Sequence, residues 1–193
     1  MSTNVSFGQG QARRPSLLGV GTIIWIASEL MFFSGIFSAY FTIRAHDGKP
    51  WPPVADHLSL AQSALITAVL VVSSVTVQRG LRLAETGRRL AAKRLALLTA
   101  VLGALFLGGL LLQWYQAPFD TSTNAFGSLY YVMTGLVGLH LIFGIVAVGG
   151  LLGRMAGEGH DPGELDVYQA TSYYWHFVVI VWLLTFASLF FVH

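Results

Sequence analysis

The chain has 193 residues, 54% of them hydrophobic and only 10% charged, with a mean hydropathy of +0.65. Soluble domains carry about a quarter charged residues, so this composition excludes that class, and no nucleic-acid partner is expected. The absence of cysteine excludes disulfides, zinc–thiolate sites and thiol catalysis together.

Residues 1–15 form a polar tail that ends near the pair Arg13 and Arg14. No short apolar region closed by small residues follows, as an export signal would need, so the first span is expected to be retained. Five apolar stretches then run along the chain, at about 16–43, 59–78, 95–115, 125–153 and 167–192. Each reaches the ~20 residues that cross a hydrocarbon core. Their Leu, Val, Ala, Phe and Gly content fits helices rather than alternating barrel strands. The expected fold is all-α, a polytopic transmembrane bundle of five helices forming one domain over 16–193.

The connections differ in character. The first contains HDGKPWPP, whose three prolines exclude regular helix and whose Trp51 suits the membrane interface. The second, RGLRLAETGRRLAAKR at 79–94, carries six basic residues against one acidic and is expected to extend the flanking helices into the cytoplasm. It anchors on anionic headgroups more readily than it forms a dedicated partner site. The third, QAPFDTSTNAFGS, ends one helix at Pro118 and offers caps to the next from Asp120 to Asn124.

Orientation follows from the basic residues. With a cytoplasmic N-terminus, Arg13, Arg14, Arg79, Arg82, Arg88, Arg89, Lys93, Arg94 and Arg154 lie inside. Only Arg44 and Lys49 then lie outside, and the C-terminus faces the outer side. The acidic loop at 155–166 does not overturn this, because acidic residues weigh little in the rule.

Small residues predict close helix approach at Ser34 and Ser38, at Gly149 and Gly153, and at Gly103, Gly108 and Gly109. The aromatics Trp51 and Trp114 fit interfacial belts, and the others pack against helices or lipid.

Three ionisable side chains stand inside the spans: Glu29, His140 and His176. Such residues are rare in membranes and usually functional. Glu29 and His140 fall near the centres of their spans, at similar depth. His176 lies about nine residues into the last span, on one face with Ser172, Val179 or Ile180, and Leu183. Two histidines could serve at most one haem, and no CxxCH word, histidine pair or carboxylate cluster supports a metal site. No catalytic, cofactor-binding or metal residue is therefore expected. An acid and a histidine at matched depth could relay a proton. The remaining polar residues of the first two spans are too few for a channel, however. A structural or modulatory role for Glu29 is the stronger reading.

Four words in order then carry a resemblance. SELMFFSGIFSAYF, WPP at 51–53, APF at 117–119 with FGSLYYVMTGLVGLHLIFG, and YYWHFVVIVW span nearly the whole chain after about residue 16. Together they resemble subunit III of haem–copper oxidases, specifically the cytochrome c oxidase subunit III family, in a short five-helix bacterial form. The family's intramembrane glutamate falls on Glu29, and its signature tryptophans on Trp51, Trp175 and Trp182. Departures are Val179 in place of an aspartate, Val137 in place of a histidine, and Gln113 and Gln116 in place of acids. The resemblance implies a non-catalytic subunit of an aerobic respiratory complex in the bacterial plasma membrane. Haem and copper would reside in partner subunits: subunit I holds the catalytic centre, and subunit II receives electrons from cytochrome c. The chain itself would support stability, phospholipid binding and sustained proton uptake, with Glu29, His140 and His176 as its intramembrane polar residues. Close relatives of the family serve quinol oxidases or accompany nitric oxide reductases, and these are the alternatives. A stand-alone transporter is disfavoured, because no inverted repeat or broken helix pair marks a substrate site.

Overall fold

Apolar runs of this length leave the backbone no partner but itself, so each expected span becomes a helix. The computed structural model describes residues 16–47, 51, 59–157 and 163–191. The expected polar tail at 1–15, the prolines after Trp51 and the C-terminal His193 lie outside the described residues. The helices are α1 (Leu17–Asp47), α2 (Leu60–Glu85), α3 (Arg89–Gln116), α4 (Ala125–Arg154) and α5 (Glu164–Phe190). All five are long and apolar enough to cross a membrane.

Two helices outrun their apolar stretches, as the charged second connection suggested: α2 continues to Glu85 and α3 begins at Arg89. The turn between them is only Thr86, Gly87 and Arg88. Gly87 has φ of 74°, the left-handed region that suits glycine. The Arg88 N–H donates to Leu83 O at 2.9 Å and the Gly87 N–H to Ala84 O at 3.0 Å, which closes α2 as a Schellman motif. Between α3 and α4, Asn124 caps the helix by accepting from Gly127 N at 2.7 Å. Ahead of it, Asp120 accepts from the Ser122 hydroxyl at 2.7 Å and the Ser122 amide at 2.8 Å. These bonds, with one from Thr123, hold its carboxyl below the usual carboxylate range.

Helices α2, α3, α4 and α5 pack as a ring, each against its two neighbours, and α1 lies outside on α5 and α4. The ring interior is apolar, with Leu70, Phe106, Val137, Leu141, Val148, Trp175 and Trp182 in one cluster. Polar side chains in it bond across helices: Gln113 to Ser63 (2.7 Å), Trp182 to Thr67 (2.9 Å), Trp175 to Ser73 (2.9 Å) and Thr76 with Thr99 (2.7 Å). Such bonds satisfy groups that hydrocarbon would leave unpaired.

Close approach occurs at only some of the expected small residues. A Cβ on Gly103 would stand 2.8 Å from Trp175 Cη2, and one on Gly109 would collide with Ile66. Gly149 and Gly153 face open space, as does Gly108. Ser34 and Ser38 are exposed, and Ser34 bonds its own helix at Leu30 O. Spacing marks a small face, but only the neighbouring helix decides whether that face is used. Gly80, which was not singled out, packs directly beneath the Tyr168 hydroxyl.

Trp51 is more than an interfacial ring. It is enclosed by the chain, 7% exposed, with rings of Tyr40 and Phe126 edge-on to it. Its indole N–H donates to Tyr40 OH at 3.0 Å, and that hydroxyl donates to Ser188 O at 2.8 Å, tying α1 to α5. Trp114 likewise turns inward, donating to Thr134 on α4 at 3.1 Å. A buried indole N–H needs an acceptor, and each of these finds one inside the chain. At the opposite end, Arg89 reaches both oxygens of Glu164 (3.0 and 3.1 Å from Nε) and the carbonyls of Gly157 and Arg154. One guanidinium thus joins the starts of α3 and α5 to the end of α4, where C-terminal carbonyls favour a cation.

Candidate functional site

Glu29 occupies the face of α1 that meets α4, and His140 the middle of α4. The fold brings them together: Glu29 Oε2 lies 3.2 Å from His140 Nε2. The side chains retain 23% and 9% of their exposure respectively. His140 Nδ1 lies 2.7 Å from Leu136 O, one turn back on its own helix. A carbonyl only accepts, so Nδ1 carries a proton and Nε2 is the nitrogen presented to the carboxyl. The second carboxyl oxygen accepts from Trp25 Nε1 at 3.1 Å.

This arrangement has two protonation states that satisfy every contact. Either the carboxylic acid donates to a neutral imidazole, or an imidazolium donates to a carboxylate. Both are net neutral and differ only in where one proton sits. Gain or loss of a proton leaves an uncompensated charge in a low-dielectric setting, which is costly.

Aromatic rings surround the pair. Trp25 stacks on Tyr174 with centroids 5.0 Å apart and planes 3° from parallel. The Tyr174 hydroxyl donates to His140 O at 3.0 Å. Phe33 stands edge-on to the His140 ring at 5.0 Å, and Phe177 at 6.4 Å. Trp25 was legible in principle, four residues before Glu29 and on the same helix face. Tyr174 and Phe177 come from α5, and nothing in their own segment points to Glu29.

His176 does not join this site. Its ring lies between α5 and α2, with Nδ1 2.6 Å from Ser74 Oγ and Nε2 3.0 Å from Gln78 Oε1. The hydroxyls of α2 bond toward α3 and α5 instead of toward Glu29. Thr22, Ser28 and Ser34 bond carbonyls of their own helix. Among the described residues the hydrogen bonds of the Glu29 and His140 side chains end at Trp25 and the Leu136 carbonyl. Among the described residues these bonds reach no further titratable side chain. Beside the pair, α1, α4 and α5 border an open groove of about 350 Å³ lined by Leu18, Trp25, Phe143, Leu151 and Tyr174 among others.

Fold and site define a polytopic α-helical membrane protein built around an acid–histidine pair. Its described residues contain no group of three or more His, Cys, Asp or Glu placed to hold a metal. Residues 7–193 match the family described as Cytochrome c oxidase subunit III, and the chain belongs to that family. It is 42% identical over 182 residues to a probable cytochrome c oxidase subunit 3 of Nocardia farcinica, covering 93% of this chain and 90% of that one. Against the cytochrome c oxidase subunit 3 of Corynebacterium diphtheriae it is 35% identical over 184 residues, with the same shares covered. The corresponding protein of Branchiostoma lanceolatum is longer: 34% identity extends over 88% of this chain but 67% of that one.

Proposed function

We propose that the chain is a non-catalytic integral subunit of a bacterial cytochrome c oxidase. It packs in the plasma membrane against the haem–copper subunit, subunit I, in a complex that includes subunit II. The observation that carries this reading is the family match, which runs from residue 7 to the last residue. The Glu29–His140 pair supports a modulatory role. An acid and an imidazole in contact at the α1–α4 boundary, at the edge of the chain's own ring, suit support of sustained proton uptake by a neighbour. The open groove lined by Leu18, Phe143 and Leu151 suits a phospholipid acyl chain. Mild solubilisation and isolation of the tagged chain test the reading. Haem spectra, the haem–copper subunit and phospholipid are expected in one preparation, and a chain recovered alone overturns it.

The N-terminus lies in the cytoplasm and the C-terminus outside, by the distribution of basic residues. Alkaline phosphatase fused after His193 is accordingly expected to be active, and fused after residue 88, inactive. The opposite pattern reverses the topology.

A further inference from the structure

The segment 79–94 gathers six of the chain's cations, and the fold divides them. Two turn inward: Arg89 pairs with Glu164 at 2.8 Å, and Lys93 donates to Met155 O at 3.4 Å. Arg79, Arg82, Arg88 and Arg94 stay exposed, and their side chains make no ion pair or hydrogen bond with any described residue. Glu85, the one acid of the segment, is exposed as well and pairs with none of them.

Three of these four arginines continue faces that are otherwise apolar. On α2, Val72, Val75, Arg79 and Arg82 recur at three- and four-residue spacing, and all are exposed. On α3 the same holds for Arg94, Leu97, Leu98 and Val101. Every exposed position of α2 between 60 and 77, and of α3 between 95 and 112, is apolar. Arg79 stands eight residues before Gly87 and Arg94 seven after it, so the two share a level on the antiparallel hairpin. Arg88 belongs to the turn, about 9 Å further out at the rise of an α-helix.

An outward face without a hydrogen-bonding group along two spans suits hydrocarbon, and cations at its end lie where anionic headgroups begin. A guanidinium meets a phosphate with two parallel bonds, while its stem lies along the apolar face beneath. Charge complementarity selects an anion, and the apolar strip selects one that carries acyl chains. We infer that the outward face of the α2–α3 hairpin binds an anionic phospholipid. Arg79, Arg82 and Arg94 hold its phosphodiester, and the valines and leucines below them receive its chains. This surface is separate from the groove between α1, α4 and α5, and the inference stands independently of the oxidase assignment.

A benzophenone photo-probe in place of exposed Val101, two turns from Arg94, tests this in the full chain with whatever subunits purify with it. The preparation is reconstituted in vesicles of equal phosphatidylglycerol and phosphatidylcholine, and the adducts are identified by mass. Phosphatidylglycerol adducts are expected to exceed phosphatidylcholine adducts about fivefold. Arg79→Gln combined with Arg94→Gln should bring the two lipids near parity. Arg79→Lys with Arg94→Lys keeps both charges and should keep most of the preference. Arg88→Gln removes an equal charge from the turn and should leave the preference unchanged. Parity in the unsubstituted chain overturns the inference, as does a preference that survives the paired glutamine substitutions. An equal loss in Arg88→Gln overturns it in favour of diffuse attraction, and adducts to another protein overturn the lipid as occupant.

Discussion

Trp175→Ala is expected to destabilise the isolated chain by about 3–5 kcal/mol, the range for removing a large aromatic from a close-packed interior. The ring is fully buried, lies against Gly103 and Gly144, and donates to Ser73. Dispersion and close packing are the main attractions between helices in lipid, so the cavity left behind weighs heavily. The two glycines have no side chain to collapse into the space left. Trp175→Phe keeps most of the volume and removes the donor, so a smaller loss of about 1 kcal/mol is expected. Reversible unfolding in sodium dodecyl sulfate measures both. A loss below about 1 kcal/mol for Trp175→Ala would show that the ring is not a packing centre.

The second expected result concerns the acid–histidine pair. Glu29→Gln keeps a side chain that can donate to His140 Nε2, so assembly and haem spectra should survive while sustained turnover declines. His140→Leu leaves the carboxyl with Trp25 as its one remaining donor, at a cost of about 1–3 kcal/mol. Glu29→Leu combined with His140→Leu removes both polar groups and should recover part of that loss, because replacing both partners by apolar groups can be nearly neutral. A double-mutant cycle is expected to give coupling of about 1 kcal/mol or more, against scatter of about 0.5 kcal/mol for independent sites. Coupling within that scatter would mean the 3.2 Å contact does not hold α1 to the ring, and loss of haem spectra in Glu29→Gln would contradict the modulatory role.

How much of this could be read from residues alone varied from one feature to the next. Glu29 and His140 were legible as a pair of equal depth, since distance from the helix ends is a sequence quantity. Their contact was not, because rotation about the helix axis and the order of helices around the ring set it. The same reason explains His176, whose depth could be counted but whose partners Ser74 and Gln78 lie on a helix about a hundred residues away. Trp51 was read as interfacial from its place beside prolines. The Tyr40 hydroxyl that draws it inward belongs to α1, and only the packed end of the bundle brings them together.

The sequence by itself determined the helices, because long apolar segments in lipid must satisfy their own backbone. It also determined the family, because four words stand in order at fixed distances, and the three intramembrane ionisable residues. Only the tertiary structure decided which of these meet. It set α1 outside a four-helix ring and closed Glu29 on His140 under Trp25 and Tyr174. It also left Gly149 and Gly153 open while Gly103 received Trp175, and turned His176 toward the outer face. Hydropathy is a property of each segment, whereas contact depends on two helices at once, and no single segment records the rotation of its neighbour.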